Sequence, residues 1–171
     1  MKYLTLIRHA KSTHDDPMLP DAQRPLNARG QRDAPAMGRH LHTTFRFAPD
    51  RIVSSPATRA MMTARCIAEA IGVSEWDIKQ EESIYEAPVD SLLAVIRRQN
   101  PAHRHICIVG HNPGMELLTN WLCGTTAVEN VVTCAVIMLQ LKVNAWSDAE
   151  AGCAIMSEYL YPELLKLTGN L

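Results

Sequence analysis

Short apolar runs alternate with stretches of helical periodicity along the whole chain. Apolar, often β-branched runs predict strands over residues 3–7, 51–54, 77–80, 105–109, 131–141 and 152–158. Apolar positions that recur every three or four residues predict helices over residues 28–45, 56–71, 89–99, 113–123 and 162–167. This alternation is typical of an α/β protein with a mainly parallel sheet, because continuously apolar strands need cover on both faces. We therefore expect a three-layer α/β/α sandwich.

Prolines and polar residues indicate how several helices begin. Ser55 with Pro56, and Asn112 with Pro113, each pair a favoured capping residue with a proline at the first helical position. Pro35 lies inside the first predicted helix. It should kink or divide that helix, because proline donates no backbone hydrogen bond and crowds the preceding turn.

Three predicted strands end in residues suited to binding an anion. These ends are Arg8-His9, Ser54-Ser55 with Arg59 shortly after it, and Gly110-His111-Asn112. Parallel strands end at one edge of a sheet, and ligands bind in the crevice outside that edge. Guanidinium groups suit phosphate, and the free N–H groups at helix N-termini favour anions. Each residue alone is more often a surface or capping residue, but together they predict a phosphate site.

Composition narrows the class of protein. The 171 residues include 47% hydrophobic and 20% charged residues, which fits one globular domain over residues 1–171. The net charge is −1, yet residues 1–65 carry 11 Lys and Arg against 5 Asp and Glu. A basic third in a nearly neutral chain indicates a local anion pocket and not a nucleic-acid surface.

Cysteines and apolar runs indicate the expected location. None of the five cysteines forms a CxxC pair and four lie in apolar runs, so we expect small core thiols in a reducing compartment. The first apolar run ends at Arg8, too soon for a signal peptide. The longest run is shorter than the roughly 20 residues that span a bilayer. We expect a cytoplasmic protein with no membrane partner, as a monomer or weak dimer.

In combination, the three motifs are similar to those of the histidine phosphatase superfamily, whose members have the phosphoglycerate-mutase-like fold. The matching residues are Arg8-His9-Ala10, Ser54-Ser55-Pro56 with Arg59 and Thr63, and Gly110-His111-Asn112-Pro113. The likeness runs from Tyr3 to about Cys123. The short chain and the segment from Arg24 to Gly30 resemble the SixA-type phosphohistidine phosphatases within that superfamily.

The resemblance implies roles for the motif residues. The side chains expected to bind phosphate are Arg8, His9, Ser12, Arg59, His111 and Asn112. Among them, His9 would attack phosphorus as a neutral imidazole and carry the phosphoryl group. Arg8, Arg59 and a protonated His111 would neutralise the phosphoryl oxygens. No metal and no cofactor is expected, because these cationic groups supply the charge.

A general acid is the open part of the expected mechanism. Members of the superfamily often use a Glu or Asp between the second and third motifs to protonate the leaving oxygen. The candidates here are Glu81, Glu82 and Glu86, each of which could equally be a solvated loop carboxylate. We take Glu82 as the expected catalytic acid. A weak or missing acid would favour P–N over P–O substrates, because a phosphohistidine can leave as neutral imidazole.

The expected substrate is therefore a phosphohistidine-bearing protein. A small phosphate ester, such as a sugar or nucleotide phosphate, is the alternative substrate. A catalytically silent phosphate-binding module is a further alternative, although binding alone does not require the nucleophile His9.

Two other polar clusters are expected to have no metal-binding role. His103 and His105 lie two apart at the entry to a predicted strand, but a third ligand is not apparent nearby. Asp15, Asp16 and Asp21 lack the spacing of a metal site and are expected to flank the pocket.

Overall fold

The computed structural model describes residues 1–169, apart from the side chain of Leu167. Within this part, six strands form one sheet: β1 (Lys2–Arg8), β2 (Arg51–Ser54), β3 (Ile78–Gln80), β4 (His105–Gly110), β5 (Val136–Leu141) and β6 (Ala154–Leu160). The α-helices described are α1 (Ala28–Phe45), α2 (Thr58–Ala70), α3 (Val89–Arg97), α4 (Gly114–Cys123) and α5 (Pro162–Leu167). None of these helices is both long and apolar enough to cross a bilayer.

The strand order is β3-β2-β4-β1-β5-β6. The neighbouring strands β3, β2, β4 and β1 all run parallel to one another. Helical crossovers connect them, as parallel neighbours require. β5 runs antiparallel to both β1 and β6. The predicted α/β fold with a mainly parallel central sheet is confirmed. Its consequence for the site is that β1, β2 and β4 lie side by side and end at one edge.

Residues along β1 alternate between the two faces of the sheet. Leu6 shares one core with Leu92 of α3 and Leu118 of α4. Ile7 points to the opposite face, where it shares a second core with Met37 of α1. Helices thus cover both faces, which explains why the central strands are apolar along their whole length.

α1 runs unbroken through Pro35, so the predicted division of this helix is wrong. Met37 and Leu41 continue the buried face of α1 beyond the proline. Gly38 lets α1 approach α2 closely, since a Cβ added there would lie 2.8 Å from the Cβ of Ala70. Packing on α2 therefore holds the helix together despite the hydrogen bond that proline cannot donate.

α2 and α4 begin slightly later than predicted, at Thr58 and Gly114. The Ser55 hydroxyl accepts a hydrogen bond from the Ala57 backbone N–H, but the helix starts only after that residue. The Asn112 side chain does not cap α4 and donates instead to the carbonyl oxygen of Val131. Both residues thereby connect loops at the carboxyl edge of the sheet.

β5 is shorter than the predicted strand over residues 131–141 and begins at Val136. Residues 131–135 form a loop in which Cys134 has a left-handed backbone, with φ of 63°. This conformation takes the chain out of the extended region. The loop still contacts the end of β1, where the Arg8 N–H donates to the Ala135 carbonyl at 3.0 Å.

The cysteines are free thiols, of which Cys107, Cys134 and Cys153 are buried and Cys66 and Cys123 are half-buried. Burial raises the pKa of the Cys107 thiol, which lies in the middle of β4. The prediction of core thiols is confirmed for the three buried residues.

Candidate active site

Two histidines face each other where β1 and β4 end. Arg8 of β1 lies opposite Gly110 of β4, so the next residue on each strand leaves the sheet at the same level. These residues are His9 and His111, whose ring centroids lie 5.1 Å apart. Arg59, in the first turn of α2, reaches both rings. The structure thus brings together residues from all three sequence motifs.

Hydrogen bonding fixes the tautomer of His9. Nδ1 lies 2.7 Å from the Ala10 carbonyl oxygen and donates to it, which leaves the lone pair on Nε2. Burial lowers the pKa of His9 to about 3, and the nearby His111 and Arg59 lower it as well. His9 is therefore neutral at pH 7, with an unprotonated Nε2 available for attack.

The guanidinium of Arg59 is held on two sides. Nε donates to His9 Nε2 at 3.3 Å, and Nη2 donates to His111 Nδ1 at 3.4 Å. On the other side, Nη1 and Nη2 donate to the backbone carbonyl and the carboxylate of Asp21, at 2.7 and 3.0 Å. The Thr63 hydroxyl donates to the Arg59 carbonyl oxygen and accepts from the Ala10 backbone N–H, so it links the start of α2 to the residue after His9.

His111 is oriented by Ser55, a fully buried residue after β2. Because Arg59 donates to Nδ1, the ring hydrogen lies on Nε2 and is donated to the Ser55 hydroxyl at 2.7 Å. Burial lowers the pKa of His111 to about 4, and the positive charge of Arg59 lowers it further. In this arrangement His111 is neutral at pH 7.

Arg8 and Asn112 meet at the carbonyl oxygen of Val131. Arg8 Nη1 donates to this oxygen at 2.6 Å, and Asn112 Nδ2 donates to it at 3.1 Å. Arg8 Nε and Asn112 Oδ1 are buried without a hydrogen-bond partner among the described residues. Buried polar atoms are normally paired, so these two atoms leave unused bonding capacity beside the site.

Asp21 was expected only to flank the pocket, but it bonds directly to Arg59 inside the site. Its carboxylate accepts hydrogen bonds from Tyr85, Arg24 and Arg59. The short bond from the Tyr85 hydroxyl, at 2.5 Å, is the main cause that holds the pKa of Asp21 well below its usual range. The Tyr85 ring also stands edge-on to His111, at 5.5 Å between centroids. The signal in the sequence was the acidic loop of Asp15, Asp16 and Asp21, which predicted a place near the pocket but not the contact with Arg59.

A cleft of about 690 Å³ opens above these residues. Its lining residues are Arg8, His9, Lys11, Ser12, His14, Asp21, Arg24, Arg59, Glu86, Ala87, Pro88, His111, Asn112, Pro113, Gly114, Leu117 and Thr133. Ser12, expected to bind phosphate, is buried in the wall, and its hydroxyl accepts from Arg24 at 2.9 Å.

The sequence profile of the histidine phosphatase superfamily (branch 1) matches residues 4–91. The chain belongs to the histidine phosphatase superfamily. An uncharacterized chloroplastic protein of Arabidopsis thaliana is 32% identical over 156 residues, covering 86% of this chain and 70% of that protein. The residues of this superfamily member that match the profile include His9 and Arg59 of the cleft, whereas His111 follows the matched segment.

Solved structures place this superfamily member among proteins of the phosphoglycerate-mutase-like fold. A structure described as the phosphohistidine phosphatase SixA of Agrobacterium tumefaciens is 25% identical, with a TM-score of 0.79 over 94% of this chain and 98% of that one. The protein histidine phosphatase SixA in complex with tungstate is 19% identical, with a TM-score of 0.81 over 95% and 99%. A structure described as an alpha-ribazole-5'-P phosphatase from Escherichia coli is 16% identical, with a TM-score of 0.69 over 94% and 96%.

The structure places the three candidate glutamates differently. Glu82, the expected acid, is exposed at the start of a short 3-10 turn and does not line the cleft. Glu81 forms an ion pair with Arg98 at 2.7 Å. Glu86 does line the cleft, at a residue with a left-handed backbone, φ 50°. Of the three candidates, Glu86 is therefore the one that reaches the cleft, because the left-handed turn before α3 carries it to the rim.

No group of three or more His, Cys, Asp or Glu side chains among residues 1–169 is arranged to hold a metal ion. His105 instead bonds to the Thr5 hydroxyl at 2.9 Å, at the opposite edge of the sheet. Asp15 and Asp16 are exposed and lie outside the cleft lining, whereas Asp21 lies within it.

Proposed function

We propose that this protein is a phosphatase that removes the phosphoryl group from phosphohistidine in other proteins. In the first step, Nε2 of His9 forms a bond to phosphorus while the bond from phosphorus to the substrate imidazole breaks. The substrate ring carries a hydrogen on its other nitrogen and leaves as neutral imidazole. Water then hydrolyses the phosphorylated His9, which releases orthophosphate and restores the lone pair on Nε2.

The nucleophile is prepared by the contacts around His9. Its hydrogen bond to the Ala10 carbonyl keeps the hydrogen on Nδ1, away from the attacking nitrogen. Its low pKa keeps the ring unprotonated at pH 7. An imidazole that is already neutral and oriented spends no free energy on losing a proton before attack.

Charge stabilisation comes from the side chains that face the nucleophile. Arg59 directs Nε toward His9, where the phosphoryl oxygens would lie. Arg8, Ser12 and Asn112 line the same cleft and add donors to these oxygens. His111 is neutral in the present arrangement, but a doubly negative phosphoryl group beside it would raise its pKa and favour the protonated ring.

The observation that carries the proposal is the state of the two carboxylates that line the cleft. Asp21 accepts hydrogen bonds from Tyr85 and two arginines, so it remains ionised and cannot donate a proton. The carboxylate of Glu86 forms no hydrogen bond or ion pair with the described residues and lies on an exposed turn. A leaving alkoxide needs a well-placed acid, whereas a departing imidazole does not. The cleft is therefore better suited to P–N than to P–O cleavage.

A small phosphate monoester is the second candidate substrate, and the position of Glu86 favours it. Glu86 is the one carboxylate in the cleft lining that is free of strong donors. If substrate binding directs it to the leaving oxygen, it could supply the proton. Proteins with the same fold include one described as an alpha-ribazole-5'-P phosphatase.

The test compares turnover of a phosphohistidine-bearing protein domain with turnover of a panel of sugar and nucleotide monophosphates. We expect kcat/KM on the phosphohistidine domain to exceed that on every monoester by at least about 10-fold. Faster hydrolysis of one monoester would establish the second candidate. Absence of turnover on all substrates, with orthophosphate still bound, would indicate a silent binding module.

A further inference from the structure

Asp21 uses all three of its oxygen atoms to join separate parts of the site. Oδ1 accepts from Nε and Nη2 of Arg24, at 3.0 and 2.7 Å. Oδ2 accepts from Arg59 Nη2 at 3.0 Å and from the Tyr85 hydroxyl at 2.5 Å. The backbone oxygen accepts from Arg59 Nη1 at 2.7 Å. One residue of the loop over residues 13–25 thus contacts α2 and the segment before α3.

The contacts divide the guanidinium of Arg59 into two edges. The edge formed by Nη1 and Nη2 is occupied by Asp21. The edge formed by Nε and Nη2 faces the rings of His9 and His111. We infer that Asp21 is a positioning residue for phosphoryl transfer, which holds the outer edge of Arg59 so that the inner edge points at the group on His9. The inference rests on the proposed use of His9 as nucleophile.

Stability alone does not account for this arrangement. The Asp21 side chain is 46% exposed, whereas that of Arg59 is 6% exposed. Water screens an ion pair whose carboxylate is half exposed, so this contact contributes less to folding than a fully buried pair would. A buried guanidinium, however, has several rotamers, and Asp21 selects the one that faces the histidines. The benefit of the contact is therefore expected in the site and not in the melting temperature.

Electrostatics and positioning predict opposite effects on anion binding. Asp21 is a negative charge beside a site for a negative ligand, so its removal should strengthen anion binding if charge alone matters. If Asp21 positions Arg59, its removal should weaken anion binding, because the guanidinium is released from its orientation. The sign of the change in orthophosphate affinity thus separates the two interpretations.

The experiment compares the wild type with Asp21→Ala, the isosteric Asp21→Asn and the control Asp15→Asn. Asp15 lies in the same loop, is exposed, and does not line the cleft. The control therefore removes the same charge from the loop without touching Arg59. Each variant is measured for kcat and KM on a phosphohistidine domain, for orthophosphate affinity by calorimetry, and for melting temperature.

For Asp21→Ala we expect kcat to fall by about 10- to 100-fold and orthophosphate to bind at least about 5-fold more weakly. Asp21→Asn, which keeps one oxygen acceptor, should show smaller losses in the same direction. Asp15→Asn should match the wild type, and all melting temperatures should stay within about 3 °C. Unchanged or tighter orthophosphate binding by Asp21→Ala would overturn the inference. If the wild type turns over no substrate, the proposed function fails, while the orthophosphate measurement still decides the role of Asp21.

Discussion

Nε of Arg59 and Nε2 of His9 lie 3.3 Å apart, with the guanidinium donating to the imidazole lone pair. The same imidazole donates from Nδ1 to the Ala10 carbonyl at 2.7 Å. The ring is thus fixed at both nitrogens, and its proton is kept on the side away from Arg59. A positive charge at this distance also opposes a second proton on the ring. One contact therefore sets both the orientation and the charge of the proposed nucleophile.

Replacement of His9 by alanine should abolish turnover, by more than about 1,000-fold in kcat, because the proposed mechanism carries the phosphoryl group on Nε2 of His9. Orthophosphate binding should persist, since Arg8 and Arg59 remain in the cleft. Rapid-quench experiments with a labelled phosphohistidine domain should trap acid-labile phosphate on the wild-type enzyme and none on the variant.

His42→Ala is the matched control for this variant, because His42 is exposed on α1 and far along the chain from the motifs. It should retain wild-type kcat and the labelled intermediate. Substantial activity in His9→Ala, or label on another residue of the wild type, would remove His9 from the role of nucleophile.

The convergence of the site could be predicted from the sequence because it depends on strand order and polarity alone. Once β1, β2 and β4 are parallel neighbours, the residues after Arg8 and Gly110 must lie together. Local patterns such as apolar runs carry that information. For this reason the parallel sheet and the proximity of the two histidines could be predicted from the sequence.

The other contacts of the site could not be predicted, because they join residues far apart in the chain. Tyr85 and Asp21 are 64 residues apart, and their contact follows from how two loops fold over α2. Ser55 and Asn112 are residue types that favour helix caps, yet Ser55 also bonds to His111, and the Asn112 side chain bonds to Val131 and does not cap α4. Local propensity cannot distinguish a cap from a long-range contact, because the same side-chain groups serve both.

Three histidines should make the fold less stable as the pH falls below 6.5. Burial is the main cause that lowers the pKa of His9 to about 3 and the pKa values of His105 and His111 to about 4. The unfolded chain takes up protons near pH 6.5, whereas the folded chain does so only near pH 3 to 4. Stability is therefore unaffected above pH 6.5, decreases between pH 6.5 and 4, and should fall by about 1 to 2 kcal/mol per histidine at pH 5.

The free energy of unfolding, measured by urea denaturation between pH 8 and pH 5, reports this effect. Most carboxyl groups titrate below this pH range and therefore contribute little to the change. His105→Gln should flatten the dependence by about one third while leaving the site intact, because His105 lies at the opposite edge of the sheet. His42→Gln, at an exposed position, should leave the slope unchanged. A free energy of unfolding that is constant from pH 8 to pH 5 would contradict the assignment of neutral buried rings.

Chelation should leave the activity intact. The guanidinium of Arg59 faces His9, and the residues described contain no cluster of metal ligands. Cationic side chains can supply the charge stabilisation that a divalent ion supplies elsewhere. The measurement is turnover of a phosphohistidine domain after dialysis against EDTA, with and without added Mg²⁺ or Zn²⁺. Loss of turnover that a divalent ion restores would contradict the proposed mechanism.

The final prediction separates the two substrate classes through Glu86. Glu86 lines the cleft and Glu82 does not, although both are exposed glutamates of the same short segment. Because neutral imidazole leaves without a proton, we expect Glu86→Gln to change kcat/KM on a phosphohistidine domain by less than about 2-fold. Any residual monoester hydrolysis should fall by about 10-fold or more in Glu86→Gln and remain unchanged in Glu82→Gln, which serves as the matched control. A loss of 10-fold or more on the phosphohistidine domain in Glu86→Gln would mean that an acid assists P–N cleavage, and the argument from the two carboxylates of the cleft would then fail.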